Sequence, residues 1–308
     1  TMSYSVTGVQ TCALPILGKT CLTRRLMYSA LEIVASVDRL KSLPAVYHRI
    51  RAELESPEGS LNEVARLVTH DGVITGRVLQ VVNSPLYGFS GQIDSVMRAV
   101  QLLGMQQVHD LVLATAVSEA FDGVDAERMN MRMFWRLSVL RGLAARVIAR
   151  HCALLDAERM FVIGLLADMG HLVMYRTVPE LAERAQTEAD TTEQPLHTIE
   201  RRLIGADYAE VGCALLDSWQ LPQGFASAVG GQHTPCTAGA HNFEAAILSL
   251  ANRVADADRR GLASEDAAGR VDSAIWTHLD LAPSLMGEIR EEAELNLAAV
   301  TALLFSRH

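Results

Sequence analysis

The chain has 308 residues, of which 49% are apolar and 20% are charged, which excludes a disordered polypeptide and allows one large or two ordinary hydrophobic cores. The net charge of −9 argues against a large nucleic-acid interface and against binding to an anionic membrane surface. No uninterrupted apolar segment approaches the ~20 residues that a membrane-spanning helix needs.

The cysteines form no CxxC pair, so neither a zinc knuckle nor a dithiol redox motif is indicated. An odd number of cysteines without a pattern, in a chain of this length, is typical of the reducing cytoplasm. We therefore predict a cytoplasmic protein that binds neither nucleic acid nor a membrane. The five cysteines are Cys12, Cys21, Cys152, Cys213 and Cys236.

The first sixteen residues have neither a helical nor a strand period. The segment "VTGVQTCALPI", Val6 to Ile16, lacks the basic region and the long apolar region of a signal peptide. It resembles the in-frame translation of a sequencing-adapter oligonucleotide, and we predict that residues 1–16 are not native to the protein. The alternative is an ordinary floppy terminus.

Residues 17–40 are predicted to form a linker helix. Leucine, alanine, isoleucine and valine recur at three- and four-residue steps, which is typical of a narrow apolar seam. Such a helix either packs on its own domain or pairs between two subunits, and the second alternative predicts a homodimer. The seam residues are Leu22, Leu26, Ala30, Ile33, Val37 and Leu40.

Helical periods continue between residues 41 and 125, interrupted by turn chemistry. "SLNE" predicts a capping box in which Ser60 caps a helix and Glu63 reaches back to it. The stretch "NSPLYGFSGQ" predicts a loop, because it combines Asn, Ser, Pro and two glycines. We expect Asn83 to lock the turn before Pro85; a contact with the second half of the chain is the alternative.

From residue 126 onward the pattern is again helical, and the segment from Phe161 to Tyr175 is typical of a buried helix with a single acid, Asp168. Later helices are predicted for Pro195–Ile204, Phe243–Ala257 and Ala282–Phe305. No strand-loop-strand pattern occurs, so the sequence predicts an all-α protein.

Few other motifs carry chemistry. The sequence contains no nucleophile elbow, phosphate-binding loop, HExxH motif, calcium-binding loop or dinucleotide fingerprint. Trp135 and Trp219 are expected to anchor the core, with a stacking role as the alternative. Arg146 and Arg150, one turn apart, either clamp a phosphate or lie in solvent.

Several segments together resemble the HDOD domain, a helical output module of bacterial signalling proteins. The first half is carried by "SLNEVARLVTHDGVITGRVLQVVNSPLYGFSGQIDSVMRAVQLLG", with Asn83, Ser84 and Tyr87 as its clearest marks. The second half is carried by "FWRLS", "GLLADMGHLVMY", "DYAEVGCALLDSWQLP" and "QH". The resemblance implies an HDOD domain over 41–234, with an N-terminal lobe at 41–125, an HD-like lobe at 126–234 and a helical extension at 235–308.

The second half of that family is related to the HD hydrolases, whose metal is held by His and Asp side chains. In this sequence the expected His positions hold Leu137, Ala167 and Tyr208 instead. Asp168 and His233 are retained, and they are too few for a tight site. The last ligand region offers Ser249 and Asn252, followed one turn later by Asp256.

The retained residues have structural alternatives. Asp168 is either a buried acid satisfied by helix N-terminal amides or an arginine, or a group that still binds a ligand. His171 is expected to pair with Asp168 across i and i+3. His233 is either a hydrogen-bonded core histidine or a ligand.

The resemblance and the missing ligands predict a degenerate HD-like lobe with neither cofactor nor metal, and a non-catalytic module that acts through contact with signalling proteins. One alternative is a metal-dependent phosphohydrolase acting on cyclic dinucleotides; another is a module that binds a nucleotide without turnover. "LGKTC", Leu17 to Cys21, resembles the end of a receiver domain, which would place the module in a response regulator. The candidate cleft or interface residues are Asn83, Ser84, Tyr87, Trp135, Asp168, His171, Tyr208, Trp219, His233 and Asn252.

Overall fold

The structure, a computed structural model, describes residues 27–37, 43–120, 128–192, 194–235 and 239–305, and the side chains of all of these except 118–120. Every regular element within these ranges is a helix, which confirms the predicted all-α fold. The predicted non-native segment and most of the predicted linker helix, including Leu22, Leu26 and Leu40, lie outside the described residues.

The first described helix, α1 (Ala30–Ala35), packs on its own chain. Ser29 and Glu32 form a complete capping box at its start. Ile33 and Val34 are buried, and the Tyr28 amide donates to the Ile204 carbonyl at 2.7 Å. These contacts support packing on its own domain for the described part of the linker helix.

The N-terminal lobe contains five helices: α2 (Ala45–Glu55), α3 (Leu61–Thr69), α4 (Gly72–Val82), α5 (Val96–Leu103) and α6 (Met105–Ala120). Ser60 caps α3 as predicted, by accepting from the Glu63 amide at 3.2 Å. The other half of the predicted capping box is wrong. The Glu63 carboxylate binds Arg66, and the Ser60 amide donates to Glu53 instead, because Glu53 of the preceding helix lies within 2.8 Å.

The second lobe is built around one long buried helix. Its elements are α7 (Met131–His151), α8 (Ala157–Leu166), α9 (Met169–Thr177), α10 (Pro179–Thr191), α11 (Leu196–Leu203), α12 (Tyr208–Ser218) and α13 (Gln223–Gly231), and α14 (Asn242–Arg260) of the predicted C-terminal extension packs against them. Helix α7 is buried nearly all round and packs against α8 and α14. A Cβ on Gly164 would lie 2.7 Å from the Gly142 Cα, so two glycines allow α7 and α8 to approach backbone to backbone.

The prediction of one continuous helix from Phe161 to Tyr175 is wrong. Helix α8 ends at Leu166 and α9 begins at Met169, with Ala167 and Asp168 at the junction. The Asp168 backbone (φ −106°, ψ 4°) leaves the helical region, which turns the chain. This junction places the Asp168 side chain at the joint between two helices rather than within one.

The C-terminal segment adds four helices: α15 (Ser264–Gly269), α16 (Ser273–Leu279), α17 (Met286–Leu295) and α18 (Leu297–Phe305). The helical structure predicted for Ala282–Phe305 is confirmed but divided: Pro283 begins a short 3-10 turn, and Asn296 separates α17 from α18. Helix α18 contacts α7 as well as α4 and α6, so it spans both lobes. None of the described helices is long and apolar enough to cross a membrane.

Candidate functional site

A cleft of about 460 Å³ opens in the second lobe among residues of α7, α9, α11, α12 and α14. Five of the residues singled out in the sequence line it: Asp168, His171, Tyr208, His233 and Asn252. Leu137, which stands where the HD hydrolases have their first histidine, lines it as well.

A chain of alternating charges crosses one wall of this cleft. Arg141 Nη2 lies 3.2 Å from Asp168 Oδ2, and His171 Nδ1 lies 2.8 Å from Asp168 Oδ1. The other ring nitrogen of His171 lies 3.1 Å from Glu200 Oε1, and Glu200 Oε2 accepts from the Tyr208 amide at 3.0 Å. The predicted pairing of His171 with Asp168 is confirmed, and Asp168 is satisfied by an arginine rather than by helix amides.

The pKa values of the side chains in this row of alternating charges follow from the mutual stabilisation of buried charges. Burial opposes the charged form of each group, but Asp168 and Glu200 together raise the pKa of His171 to about 10. Arg141 and His171 likewise overcome the effect of burial and hold the pKa of Asp168 well below its usual range. Both residues of the pair are therefore charged at neutral pH.

A series of hydrogen bonds between uncharged groups links two more of the positions at which a metal ligand was expected. Gln232 Nε2 donates to the Ala167 carbonyl at 3.1 Å, and Asn252 Nδ2 donates to Gln232 Oε1 at 2.8 Å. Ala167 and Asn252 are positions at which the resemblance predicted metal ligands. In the structure both take part in amide-to-carbonyl hydrogen bonds.

Aromatic rings cover the rest of the cleft wall. Tyr208 stacks on His171 and His197 stacks on His233, each pair with ring centroids 4.0 Å apart. Burial, with Asp168 as the nearest opposing charge, raises the pKa of Tyr208 well above its usual value. A Cβ on Gly170 would lie 1.9 Å from the Tyr208 carbonyl oxygen, so only glycine lets α9 approach α12 closely enough for this stacking.

His233 is a neutral histidine in a positively charged neighbourhood. Burial, followed by electrostatic repulsion from His197, Arg201, His171 and Arg253, lowers the pKa of His233 to about 3. Its Nε2 atom is buried and has no hydrogen-bond partner within the described ranges. This nitrogen is the one unsatisfied group among the retained HD positions of the described chain.

The residues present do not fit the metal that the HD fold implies. A divalent ion needs several carboxylates and neutral imidazoles converging on one point. Asp168 already neutralises Arg141 and His171, while Leu137 and Ala167 offer no donor side chain. Nowhere in the described part of the chain do three or more His, Cys, Asp or Glu side chains lie so that they could hold a metal ion.

Three of the singled-out residues lie in the N-terminal lobe, away from the cleft. Asn83 locks its loop: its Nδ2 donates to the Leu79 and Ile93 carbonyls at 2.8 Å, and its Oδ1 accepts from the Ile93 amide at 2.7 Å. The buried Ser84 hydroxyl donates to the Val81 carbonyl. Asn83 thus makes the contacts expected of a loop lock.

The loop after Asn83 reaches the second lobe through its neighbours. Arg146 Nη2 donates to the Leu86 carbonyl at 2.9 Å, and its Cζ lies 5.9 Å from the centre of the Tyr87 ring. Arg146 Nε also donates to Glu158 at 2.6 Å, and Arg150 contacts the same carboxylate. The expectation of a solvated arginine is wrong for Arg146, which is buried and contacts both lobes, whereas Arg150 is exposed as that alternative predicted.

The two singled-out tryptophans lie in the core. Trp135 and Trp219 are each 1% exposed. Trp135 stacks on Phe305 of α18 with ring centroids 4.0 Å apart. The expected role as core anchors is thus matched by their burial, and neither lines the cleft.

Sequence reasoning missed Arg141, Glu200 and Gln232. The available signal for Arg141 was its place one turn after Leu137, next to apolar residues such as Leu140, where a charged side chain must find a partner. Glu200 is only 1% exposed, but its place in the helical period gave no sign that its side chain would be buried. Gln232 directly precedes His233 and was treated only as part of a motif.

The comparisons with known proteins agree with this architecture. The model of the HDOD domain matches residues 40–235. A protein of undescribed function from Treponema pallidum (strain Nichols) is 24% identical over 196 residues, which make up 63% of this chain. The match spans only 37% of the length of that curated relative.

Solved structures share the fold. An HDOD domain protein of unknown function from Geobacter sulfurreducens superposes with a TM-score of 0.72 at 24% identity, covering 90% of this chain and 97% of its own. A Shewanella amazonensis SB2B protein, whose name proposes a phosphohydrolase, gives 0.70 at 23% identity, covering 90% and 98%. A Marinobacter aquaeolei VT8 protein, whose name proposes signal transduction, gives 0.64 at 21% identity, covering 85% and 59%. From the matched domain model and the helical architecture, the chain belongs to the HDOD domain family.

Proposed function

We propose that the chain is a non-catalytic signal-transduction module that acts through contact with other proteins. The observation that supports this most directly is the pairing of Asp168 with Arg141 and His171. A carboxylate that would otherwise bind a metal is neutralised by two protein cations. Asp168 is therefore engaged in structural interactions, which leaves it unsuited to hold the metal that would activate a water as nucleophile.

The remaining chemistry of the cleft supports the same proposal. A general base needs a pKa near the working pH, whereas His171 is held protonated by Asp168 and Glu200. His233 is held neutral, but its free nitrogen is covered and has no carboxylate to orient its ring in the described residues. Neither histidine is set up to activate water.

The setting of the module is part of the proposal. The resemblance of Leu17–Cys21 to the end of a receiver domain supports a place downstream of phosphorylation, with the linker helix carrying the signal. The unpatterned cysteines support a cytoplasmic location. The partner is a signalling protein, and a second copy of the chain is one candidate, because Leu31 of α1 is 73% exposed.

A turnover assay separates this proposal from the phosphohydrolase alternative, which the name of the Shewanella protein also raises. The chain is incubated with a phosphodiester reporter and with cyclic dinucleotides, in the presence of Mg²⁺, Mn²⁺ or Fe²⁺ and, separately, with a chelator. We expect no turnover above that of Asp168→Asn. Turnover that requires Asp168 and that the chelator abolishes would overturn the proposal.

Contact with other proteins is tested by cross-linking the folded chain in lysate of its host and identifying the captured proteins. The matched control is the same chain unfolded in urea and diluted back at low pH, which presents the same sequence without the fold. Signalling proteins captured only by the folded chain are the expected result. Equal capture by both samples would contradict a specific interaction surface.

A further inference from the structure

The cleft has a local charge that is opposite to that of the whole chain. Its lining contains five arginines and three aspartates, Arg128, Arg141, Arg253, Arg259, Arg260, Asp168, Asp190 and Asp256, in a chain of net charge −9. All three aspartates are already engaged by arginines: Asp168 by Arg141, Asp190 by Arg259, and Asp256 by both Arg259 and Arg260. The carboxylates of the lining therefore neutralise part of its positive charge.

Two arginines keep unused hydrogen-bonding capacity. Arg253 on α14 is exposed and makes neither an ion pair nor a hydrogen bond with the described part of the chain. Arg141 has a side chain only 9% exposed, and its Nε and Nη1 atoms have no partner within the described ranges. Buried donors of a charged group are costly to leave unpaired, and an oxyanion is the group that satisfies a guanidinium best.

Two stacked imidazoles lie beside these arginines. His197 and His233 line the same cleft as Arg253. Burial, and after it the charges of Arg201 and Arg253, lower the pKa values of both rings. His233 Nε2 is buried without a partner in the described residues, and in its neutral Nε2–H form it is a donor that an anion would satisfy. Planar rings at the wall and cations around them are the combination that binds a phosphate attached to a flat group.

We propose that this cleft binds a small phosphorylated molecule through its phosphate group, held by Arg253 with His197 and His233 beside it and with buried Arg141 supplying charge from within. The cleft volume of about 460 Å³ lies within the range of small-ligand sites, ~300–1,000 Å³. The ligand is bound and not hydrolysed in this proposal, since Asp168 is paired with Arg141 and His171 and is not free to hold a metal or to act as a base. This inference goes beyond protein contact and holds whichever partner the module has.

Isothermal titration of the chain with inorganic phosphate and with AMP, at matched ionic strength, tests the proposal. We expect saturable binding of at least AMP, weakened about tenfold or more by Arg253→Gln, which corresponds to ~1.4 kcal/mol. Arg270→Gln is the matched control, because Arg270 is equally exposed but lies outside the cleft. Glutamine suits an exposed helix position, so the fold is not at risk.

The arms of the experiment separate the sources of the phosphate. Equal affinity for phosphate and AMP means that the site recognises the phosphate group alone. Tighter binding of AMP means that the imidazole rings also contact the nucleoside attached to the phosphate. Binding of neither probe at millimolar concentration would overturn the proposal. So would equal binding by Arg253→Gln and the parent chain, or equal heat with sodium chloride in place of the probe.

Discussion

Arg141 of α7 and Asp168 at the α8–α9 junction form a buried ion pair, with Nη2 and Oδ2 3.2 Å apart and the two side chains only 9% and 13% exposed. The pair joins the central helix of the second lobe to the joint at which the resemblance predicted a lost metal ligand. The Asp168 carboxylate is neutralised there by a cation of the protein itself.

Removal of one partner of this pair should be strongly destabilising. Arg141→Leu leaves the Asp168 carboxylate with His171 alone, and we expect a loss of about 3 kcal/mol in the free energy of unfolding, measured in urea. The control Arg270→Leu removes an exposed arginine and should cost less than ~0.5 kcal/mol. Loss of under 1 kcal/mol in Arg141→Leu would show that the pair is solvated, contrary to the structure.

Stability should fall on the alkaline side because of His171. Its pKa is raised from 6.5 to about 10 in the folded chain, so its contribution is complete below pH 6.5. That contribution is lost progressively as the pH rises from 6.5 to about 10. We expect the melting temperature of the parent chain to fall across this window and that of His171→Gln to fall less. Parallel pH profiles for the two proteins would rule out a charged His171 in the fold.

Gly170 should tolerate no side chain. A Cβ would lie 1.9 Å from the Tyr208 carbonyl oxygen and 2.8 Å from the Gly212 amide nitrogen. These are backbone atoms, so a change of side-chain rotamer cannot relieve the clash. We expect Gly170→Ala to lose about 3 kcal/mol or more, or to fail to fold. The control is Gly76→Ala in α4, where a Cβ meets nothing within 4 Å; it should gain ~0.5–1 kcal/mol. Similar stabilities for the two variants would refute the close packing of α9 and α12.

Asn83 should hold the loop that reaches the second lobe. Asn83→Ala removes three hydrogen bonds, two to Ile93 and one to Leu79, and we expect a loss of about 1–2 kcal/mol. We also expect faster proteolysis between residues 84 and 92. Asn62→Ala, an exposed change in α3 without such bonds, serves as the control. Unchanged cleavage of the loop would mean that other contacts fix it.

Much of the fold could be predicted because its helices carry clear local signals. Ser60, Asp71 and Ser95 each cap a helix, and Gly104 ends one with φ +85°. That Asp168 stands at a lost metal position stays a prediction, since it depends on a resemblance in order and spacing along the chain.

Other features could not be predicted, because they depend on contacts between segments distant in the sequence. Glu200 and Arg141 come close to Asp168 and His171 only through the packing of α7, α9 and α11. The sequence has no proline at Ala167–Asp168 that would have predicted the break between the two helices. Arg146 looked like a solvated helix residue, and its burial arises only from the approach of the loop at Leu86.

The metal content of the chain, purified without affinity metals and measured by mass spectrometry, tests the central claim most directly. With Asp168 neutralised by Arg141 and His171, we predict less than about a tenth of an equivalent of any transition metal, because two isolated donors hold such ions weakly. A near-stoichiometric metal that Asp168→Asn removes would contradict the account and would make Asp168, His233 and Asp256 ligands.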